Sequence, residues 1–235
     1  MKKILLLHGW NYRNYSKLTD QKDAWHNREE FVSLLSKYFD VYKVNFPGFC
    51  GEEEPKKSWN LEDYARYIKD YIDNNDLKFD YILGYSFGGA AAIIYNRIYD
   101  NNQKLILVSP AISRNYKKSK KFIKTPSLFN PIRNFIRDFY LIYFVKNNYM
   151  VYGTKFLRSS YQNIVRIDLI DDVKNINPSN LLIIYGGKDD MVKPSHVINN
   201  LSDSLKDRVF VIEDGGHNIG KTHYKDVVNI IKKNS

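Results

Sequence analysis

The chain has 235 residues, 43% of them hydrophobic, with a formal net charge of +10 and a single cysteine. This length suits one α/β domain with a substantial core, and no apolar run approaches the ~18 residues that a membrane-spanning helix needs. One cysteine excludes an intramolecular disulfide and favours a reducing compartment, so we expect a cytoplasmic protein.

The first predicted element is a buried strand at residues 4–7, within the opening segment MKKILLLHGW. A secretory signal also begins with basic residues, but it needs an apolar stretch of about 7–15 residues and a small-residue cleavage site. Here the apolar run of four residues is followed at once by His8 and Gly9. The segment therefore predicts a strand that ends in a loop.

Strands and helices are predicted to alternate along most of the chain. Near-continuous apolar runs are typical of strands covered on both faces, and the segments between them have helical spacing. This alternation predicts the α/β class, with a doubly wound, mostly parallel sheet of about six strands. The strands are predicted at residues 4–7, 41–46, 81–84, 105–108, 182–185 and 209–212, and the helices at 29–38, 61–74, 87–99, 195–205 and 223–233.

A candidate nucleophile lies in the run DYILGYSFGGAAAI, which places Ser86 between a predicted strand and a predicted helix. The flanking Gly84 and Gly88 complete the G-x-S-x-G pattern of a nucleophile elbow, in the strand–turn–helix context that the pattern requires. Only small residues fit on both sides of so sharp a turn. We predict a catalytic role for Ser86, in preference to an incidental serine in a glycine-rich turn.

The alternation of strands and helices breaks between about residues 113 and 178. Apolar residues from 128 to 143 keep helical spacing and predict a helical cap over the strand ends, where ligands of such sheets bind. The chain then divides into a first core part (residues 1–112), the cap insertion (113–178) and a second core part (179–235).

Most of the positive charge lies in the predicted cap. Nine basic residues and one acidic residue give residues 114–146 a net charge of +8, which leaves +2 for the rest of the chain. The segment is either a solvated helix face or a surface that makes weak contact with an anionic substrate or a membrane. No nucleic-acid partner is expected, because no binding motif for nucleic acid accompanies the charge.

A serine hydroxyl needs a base to take its proton, and the base needs an orienting acid. On this kind of sheet the order along the chain is serine, acid, histidine. Asp189 and Asp190 follow a predicted strand, and His217 lies in a loop with two glycines after the last strand. We predict His217 as the base, whereas the position at a strand end does not choose between the two aspartates.

The other histidines and the cysteine are weaker candidates. His8 adjoins the first strand end, where it can line the site. For His8, as for His26, His196 and His223, a surface or packing role is nevertheless favoured. No strand–turn–helix surrounds Cys50, which favours a loop thiol over a nucleophile. No metal and no cofactor are predicted, because the sequence has neither a cluster with metal-ligand spacing nor a phosphate-binding glycine motif.

The reaction also needs hydrogen-bond donors for the oxyanion of a tetrahedral intermediate. One expected donor is the backbone N–H of Phe87, which follows the nucleophile. The other is the N–H of Trp10, in the HGW loop after the first strand. The alternative is that His8 and Gly9 form an ordinary turn.

The segments LLHGW, FPGFC, GYSFGG, YGGKDDMV and GGH together resemble the α/β-hydrolase family, over residues 1–231. The sequence looks most like the small esterases and carbon–carbon-bond hydrolases of that family. The family's G-x-K-D pattern makes its first aspartate the acid, which implies Asp189 in this chain. Two departures bear on substrate preference: Tyr85 stands where histidine is frequent, and Cys50 where glycine is common.

Together these features predict a serine hydrolase that cleaves a small carboxylic ester or thioester through an acyl-enzyme. Carbon–carbon-bond hydrolysis and acyl transfer would use the same groups, and a non-catalytic small-molecule receptor is a further hypothesis. The predicted catalytic residues are Ser86, Asp189 and His217, the predicted oxyanion donors are Trp10 and Phe87, and the predicted substrate pocket includes His8, Tyr85, Phe139 and Tyr143.

Overall fold

The computed structural model describes residues 1–99, 103–113 and 145–235. Six strands form its central sheet: β1 Lys3–Leu7, β2 Asp40–Val44, β3 Tyr81–Tyr85, β4 Lys104–Val108, β5 Leu181–Gly186 and β6 Val209–Ile212. They lie in the order β2-β1-β3-β4-β5-β6, and every neighbouring pair is parallel. The predicted α/β sheet of about six strands is confirmed.

Helices connect the strands and cover both faces of the sheet. The predictions at residues 61–74 and 87–99 match observed helices, whereas the first predicted helix ends three residues early, at Leu35. The helices are α1 Glu29–Leu35, α2 Leu61–Asn74, α3 Phe87–Tyr99, α4 Asn148–Tyr152, α5 Lys155–Ile164, α6 Ile170–Lys174, α7 Pro194–Ile198, α8 Asp203–Lys206, α9 Ile219–Thr222 and α10 Tyr224–Asn234.

The single helix predicted over residues 195–205 is wrong, because α7 ends at Ile198 and α8 begins at Asp203. The side-chain amide of Asn200 donates to the carbonyl of His196 at 2.7 Å, which satisfies an acceptor in the last turn of α7. Ser202 then takes an extended backbone conformation before α8. Asparagine and serine side chains compete for backbone hydrogen bonds in this way and interrupt helices.

Two hydrophobic cores lie on opposite faces of the sheet. Along β1, Ile4 and Leu6 belong to the core that includes residues of α1 and α10, whereas Leu5 and Leu7 belong to the core that includes α2 and α3. Successive side chains of a strand point to opposite faces, so a strand covered on both sides needs apolar residues at every position. This explains the continuous apolar runs in the sequence.

Because the sheet is parallel, the carboxyl ends of its strands share one edge. The HGW loop follows β1, Ser86 follows β3, Asp189 follows β5 closely, and His217 lies beyond β6. The strand order places β1 and β5 on either side of the pair β3 and β4. Residues that are far apart in the sequence are thereby brought to one edge.

The described part of the predicted cap contains α4, α5 and α6, and these helices contribute Met150, Leu157 and Val173 to the core on the side of α2 and α3. The division of the chain at residues 113 and 178 stays a prediction. Phe139, Tyr143 and most of the basic segment lie outside the described residues. None of the helices in the described ranges combines the length and the apolar character that crossing a bilayer requires.

Candidate active site

Ser86 lies at a sharp turn between β3 and α3, with a φ of +51° that non-glycine residues rarely adopt. The turn is tight enough to require glycine on both sides. A Cβ on Gly84 would lie 2.5 Å from the carbonyl oxygen of Gly88, and one on Gly88 would lie 2.1 Å from the carbonyl oxygen of Leu7. The backbone geometry is therefore that of the predicted elbow.

The imidazole of His217 lies between Ser86 and Asp189. Its Nε2 is 3.0 Å from the hydroxyl oxygen of Ser86, and its Nδ1 is 2.7 Å from Oδ2 of Asp189. Because a carboxylate only accepts hydrogen bonds, Nδ1 carries the proton and Nε2 is the acceptor for the serine hydroxyl. The three side chains form one continuous hydrogen-bond chain that ends at the hydroxyl.

The two adjacent aspartates have different environments. The side chain of Asp189 is fully buried, and its second oxygen accepts the backbone N–H groups of Met191 and Val192 at 2.9 Å each. Asp190 is exposed. Of the two aspartates, Asp189 is the one that contacts the imidazole, and the loop that follows it holds it in place.

The HGW loop lies against the elbow. A Cβ on Gly9 would be 3.3 Å from the Cβ of Ser86, and Trp10 and Phe87 line the same cavity as the serine. The ring of His8 accepts the N–H of Phe46 at Nε2 and donates from Nδ1 to the carbonyl of Gly9, both at 2.9 Å. Burial lowers the pKa of His8 to about 4.

This contact of His8 orients the backbone of the loop. The Gly9 carbonyl and the Trp10 N–H belong to one trans peptide, so they point in opposite directions. By holding the carbonyl on one side, the imidazole directs the N–H of Trp10 to the other. His8 is among the residues that line the cavity, and both of its ring nitrogens are occupied by the backbone, so its role towards a substrate stays a prediction.

Tyr85 also lines the cavity, and its hydroxyl donates to the backbone carbonyl of His217 at 2.6 Å. The guanidinium of Arg28 lies over its ring, 4.3 Å from the centroid. Sequence reasoning missed Arg28, because a basic residue in a long loop after the first strand carries no signal of its position. No other feature of that loop would have identified it.

Ser86 and His217 line a cavity of about 470 Å³. Next to it is an apolar crevice of about 30 Å³, which shares Trp10, Phe87 and Tyr161 with the larger cavity. The main cavity has the size of a small-molecule site, and the crevice has room for a group about as large as a methyl group.

Cys50, His26, His196 and His223 are not among the residues that line this cavity. Cys50 is buried in a turn, and burial raises the pKa of its thiol to about 11, which disfavours the nucleophilic thiolate. Ring nitrogens of His26 and His223 contact Asp23 and Asp214, respectively. Within the described ranges, no group of three or more His, Cys, Asp and Glu side chains is arranged to hold a metal ion.

A parallel sheet with a serine at a strand–helix elbow is the architecture of the α/β hydrolases, and the sequence agrees with it. Residues 4–230 match the profile described as "Alpha/beta hydrolase family". The chain therefore belongs to the alpha/beta hydrolase family. No curated protein sequence is significantly similar to it.

Solved structures of several hydrolases share the fold. An esterase from Exiguobacterium antarcticum is 18% identical, with a TM-score of 0.67 and coverage of 99% of this chain and 91% of that one. A meta-cleavage product hydrolase from Pseudomonas fluorescens IP01 is 18% identical, with a TM-score of 0.62 and coverage of 100% and 92%. A bromoperoxidase from Bacillus anthracis is 16% identical, with a TM-score of 0.68 and coverage of 99% and 91%. At these identities the likeness concerns the fold alone.

Proposed function

We propose that the protein is a serine hydrolase that cleaves a small carboxylic ester or thioester through an acyl-enzyme. The observation that carries this proposal is the hydrogen-bond chain from Asp189 through His217 to Ser86, with separations of 2.7 and 3.0 Å. In this chain Ser86 is the nucleophile, His217 the general base and Asp189 the group that orients the imidazole.

The reaction follows from these positions. The hydroxyl oxygen of Ser86 attacks the ester carbonyl while its proton passes to Nε2 of His217. The resulting oxyanion accepts the N–H groups of Trp10 and Phe87. The intermediate then collapses, the imidazolium gives the proton to the departing alcohol or thiol, and an acyl-serine remains. Water attacks this ester with His217 again as base, which releases the acid and restores the hydroxyl.

The crevice beside the proposed oxyanion donors indicates a short acyl group. Its volume is about 30 Å³, and its walls are formed by apolar groups such as Ala90 and Ile164. An acetyl methyl group fits such a space, whereas a long alkyl chain would have to extend into the open cavity. We therefore expect kcat/KM to be highest for acetyl and propionyl esters.

Three other hypotheses use the same site. Cleavage of a carbon–carbon bond next to a carbonyl and acyl transfer to an alcohol both proceed through the same three side chains. Among the proteins that share this fold, the name of an esterase suits ester hydrolysis, and the name of a meta-cleavage product hydrolase suits cleavage of a carbon–carbon bond. A receptor without catalysis would bind a small molecule tightly and leave it intact.

Labelling and turnover test the proposal together. The purified protein is treated with a fluorophosphonate, the labelled peptide is identified by mass spectrometry, and hydrolysis of p-nitrophenyl acetate, butyrate and octanoate is measured. We expect label on Ser86, and a loss of at least about 10³-fold in kcat for Ser86→Ala. A meta-cleavage dienone substrate and an added alcohol acceptor test the other two reactions.

Ser109→Ala is the matched control, because Ser109 is a second buried serine at a strand end with positive φ. Its hydroxyl has no hydrogen-bond partner among the described residues and it does not line the cavity. We expect this variant to keep labelling and turnover. Full esterase activity in Ser86→Ala, or tight binding of an ester without turnover in the unaltered protein, would overturn the proposal.

A further inference from the structure

A cation that pairs with no carboxylate among the described residues forms part of the cavity wall. Arg28 ends the short helical turn His26–Arg28 and lines the same cavity as Ser86. Its Nη1 donates to the side-chain oxygen of Asn27 at 2.7 Å, and its Nη2 donates to that of Asn218 at 3.1 Å. Its buried Nε has no hydrogen-bond partner among the described residues.

The partners of this guanidinium orient it but leave its charge in place. Its partners are neutral, namely the amide oxygens of Asn27 and Asn218 and the side chain of Tyr85, and none of the ion pairs among the described residues includes Arg28. The ring of Tyr85 lies 4.3 Å from the guanidinium carbon and restricts its movement. A guanidinium has five N–H groups, so donors remain for a further acceptor.

The other charged groups on the cavity wall have the same sign. Arg13 and Lys221 line the cavity, both are exposed, and among the described lining residues there is neither Asp nor Glu. A cleft lined by charges of one sign concentrates its field and attracts ligands of opposite charge. Arg28 differs from the other two cations because it is half-buried and held by three neighbouring side chains.

We propose that the cavity binds a substrate with a carboxylate group, and that Arg28 is the residue that recognises it. The expected preference for anionic substrates in turnover rests on the proposed hydrolase function, whereas binding of a carboxylate by Arg28 does not depend on that function. The planar guanidinium matches the geometry of a carboxylate, and charge-assisted hydrogen bonds of this kind are roughly twice as strong as neutral ones.

Two pairs of substrates test the preference, and the two members of each pair are similar in size and shape but differ in charge. The first is 4-acetoxybenzoate and 4-acetoxybenzamide, with the carboxylate on the leaving group. The second is the monophenyl ester of adipate and the corresponding monoamide, with the carboxylate on the acyl group. For one pair or both, we expect kcat/KM to be about 10–100-fold higher for the anionic member.

Arg28→Gln should reduce this anionic-to-neutral ratio at least about tenfold, while Arg13→Gln, which removes a charge from the exposed part of the same cavity, should change it by less than about threefold. An equal reduction in both variants would assign the preference to the general field of the cavity and overturn the role of Arg28. Equal losses of kcat/KM on both members of a pair in Arg28→Gln would also overturn the role of Arg28. They would indicate that Arg28 only holds the ring of Tyr85 in place.

A binding measurement separates this inference from the proposed function. Calorimetric titration of Ser86→Ala with 4-acetamidobenzoate and 4-acetamidobenzamide requires no turnover. We expect the carboxylate to bind at least about tenfold more tightly, and this difference to disappear when Arg28→Gln is added. If no ester is hydrolysed but this difference is observed, the hydrolase proposal fails and the anion site stands. No difference here, together with none in either substrate pair, would overturn the anion site.

Discussion

The hydroxyl of Tyr85 donates a hydrogen bond to the backbone carbonyl of His217, and 2.6 Å separates the two oxygens. Tyr85 directly precedes Ser86, so one short segment carries the proposed nucleophile and also holds the loop of the proposed base. Burial raises the pKa of Tyr85, which keeps its hydroxyl protonated as a donor. The contact makes Tyr85 a positioning residue for the imidazole.

We expect Tyr85→Phe to lower kcat/KM about tenfold, because the loop of His217 loses a buried hydrogen bond while the ring packing is kept. One such bond contributes about 1 kcal/mol to the free energy of unfolding. The rate of fluorophosphonate labelling measures the effect on the nucleophile directly. Tyr81→Phe is the matched control, since it removes a hydroxyl that bonds Lys2 at the opposite end of β3. Equal losses in the two variants would contradict the positioning role.

Replacing each aspartate by asparagine tests whether Asp189 or Asp190 is the acid that orients His217. Asp189→Asn replaces an oxygen that accepts the proton on Nδ1 of His217, so the imidazole is driven to the wrong tautomer. We expect a fall in kcat of about 10³–10⁴-fold with little change in secondary structure by circular dichroism. Asp190→Asn should remain within about threefold of the unaltered enzyme, and a large loss in this variant alone would reverse the assignment.

Much of the fold could be predicted from the sequence, because its signals are local. The strands have continuous apolar runs, and the elbow has a glycine on each side of Ser86. The order of serine, aspartate and histidine along the chain then identified three residues that the structure brings within hydrogen-bonding distance. A parallel sheet converts that order into proximity, since all strands deliver their carboxyl ends to one edge.

What could not be predicted depends on side-chain directions in loops. Asp189 and Asp190 are neighbours in the sequence, and only the path of the loop buries one and exposes the other. Tyr85 was predicted only as a pocket residue, and its hydroxyl also contacts the backbone of a loop 132 residues away. Arg28 lies at the cavity because its guanidinium packs on the ring of Tyr85. Such contacts arise from tertiary packing and leave no periodic pattern in the sequence.

The tight turn at the elbow predicts that alanine at Gly88 destabilises the protein far more than alanine at Gly216. A Cβ on Gly88 would meet backbone atoms of Leu7 at 2.1 and 2.6 Å, so β1 and α3 would have to separate. We expect Gly88→Ala to lower the free energy of unfolding by more than about 3 kcal/mol, measured by urea denaturation. For Gly216→Ala the nearest atom is 4.0 Å away, and we expect a change within about 1 kcal/mol. Similar stabilities of the two variants would contradict the close approach of β1 to α3.

The buried imidazole of His8 predicts an acid-sensitive contribution to stability. Its pKa is lowered by burial to about 4 in the folded protein, against 6.5 for an ordinary histidine. Between these values the unfolded chain binds more protons than the folded one, so the free energy of unfolding rises with pH in this window. The contribution is complete above pH 6.5 and is lost as pH falls towards 4. At pH 5 the loss is about 2 kcal/mol relative to pH 7.

His8→Gln isolates this effect, because an amide oxygen can still accept the N–H of Phe46 but does not titrate. The variant should be less stable at pH 7, since it loses the contact with Gly9 and part of the ring packing. Between pH 7 and pH 5, however, its free energy of unfolding should fall by about 2 kcal/mol less than that of the unaltered protein. The carboxylates are the same in the two proteins, so their contribution cancels in this comparison. Urea denaturation at the two pH values measures this difference. Equal losses of stability in the two proteins would contradict this prediction. They would mean that the imidazole becomes protonated at pH 5 in the folded state, although its Nε2 must be unprotonated to accept the N–H of Phe46.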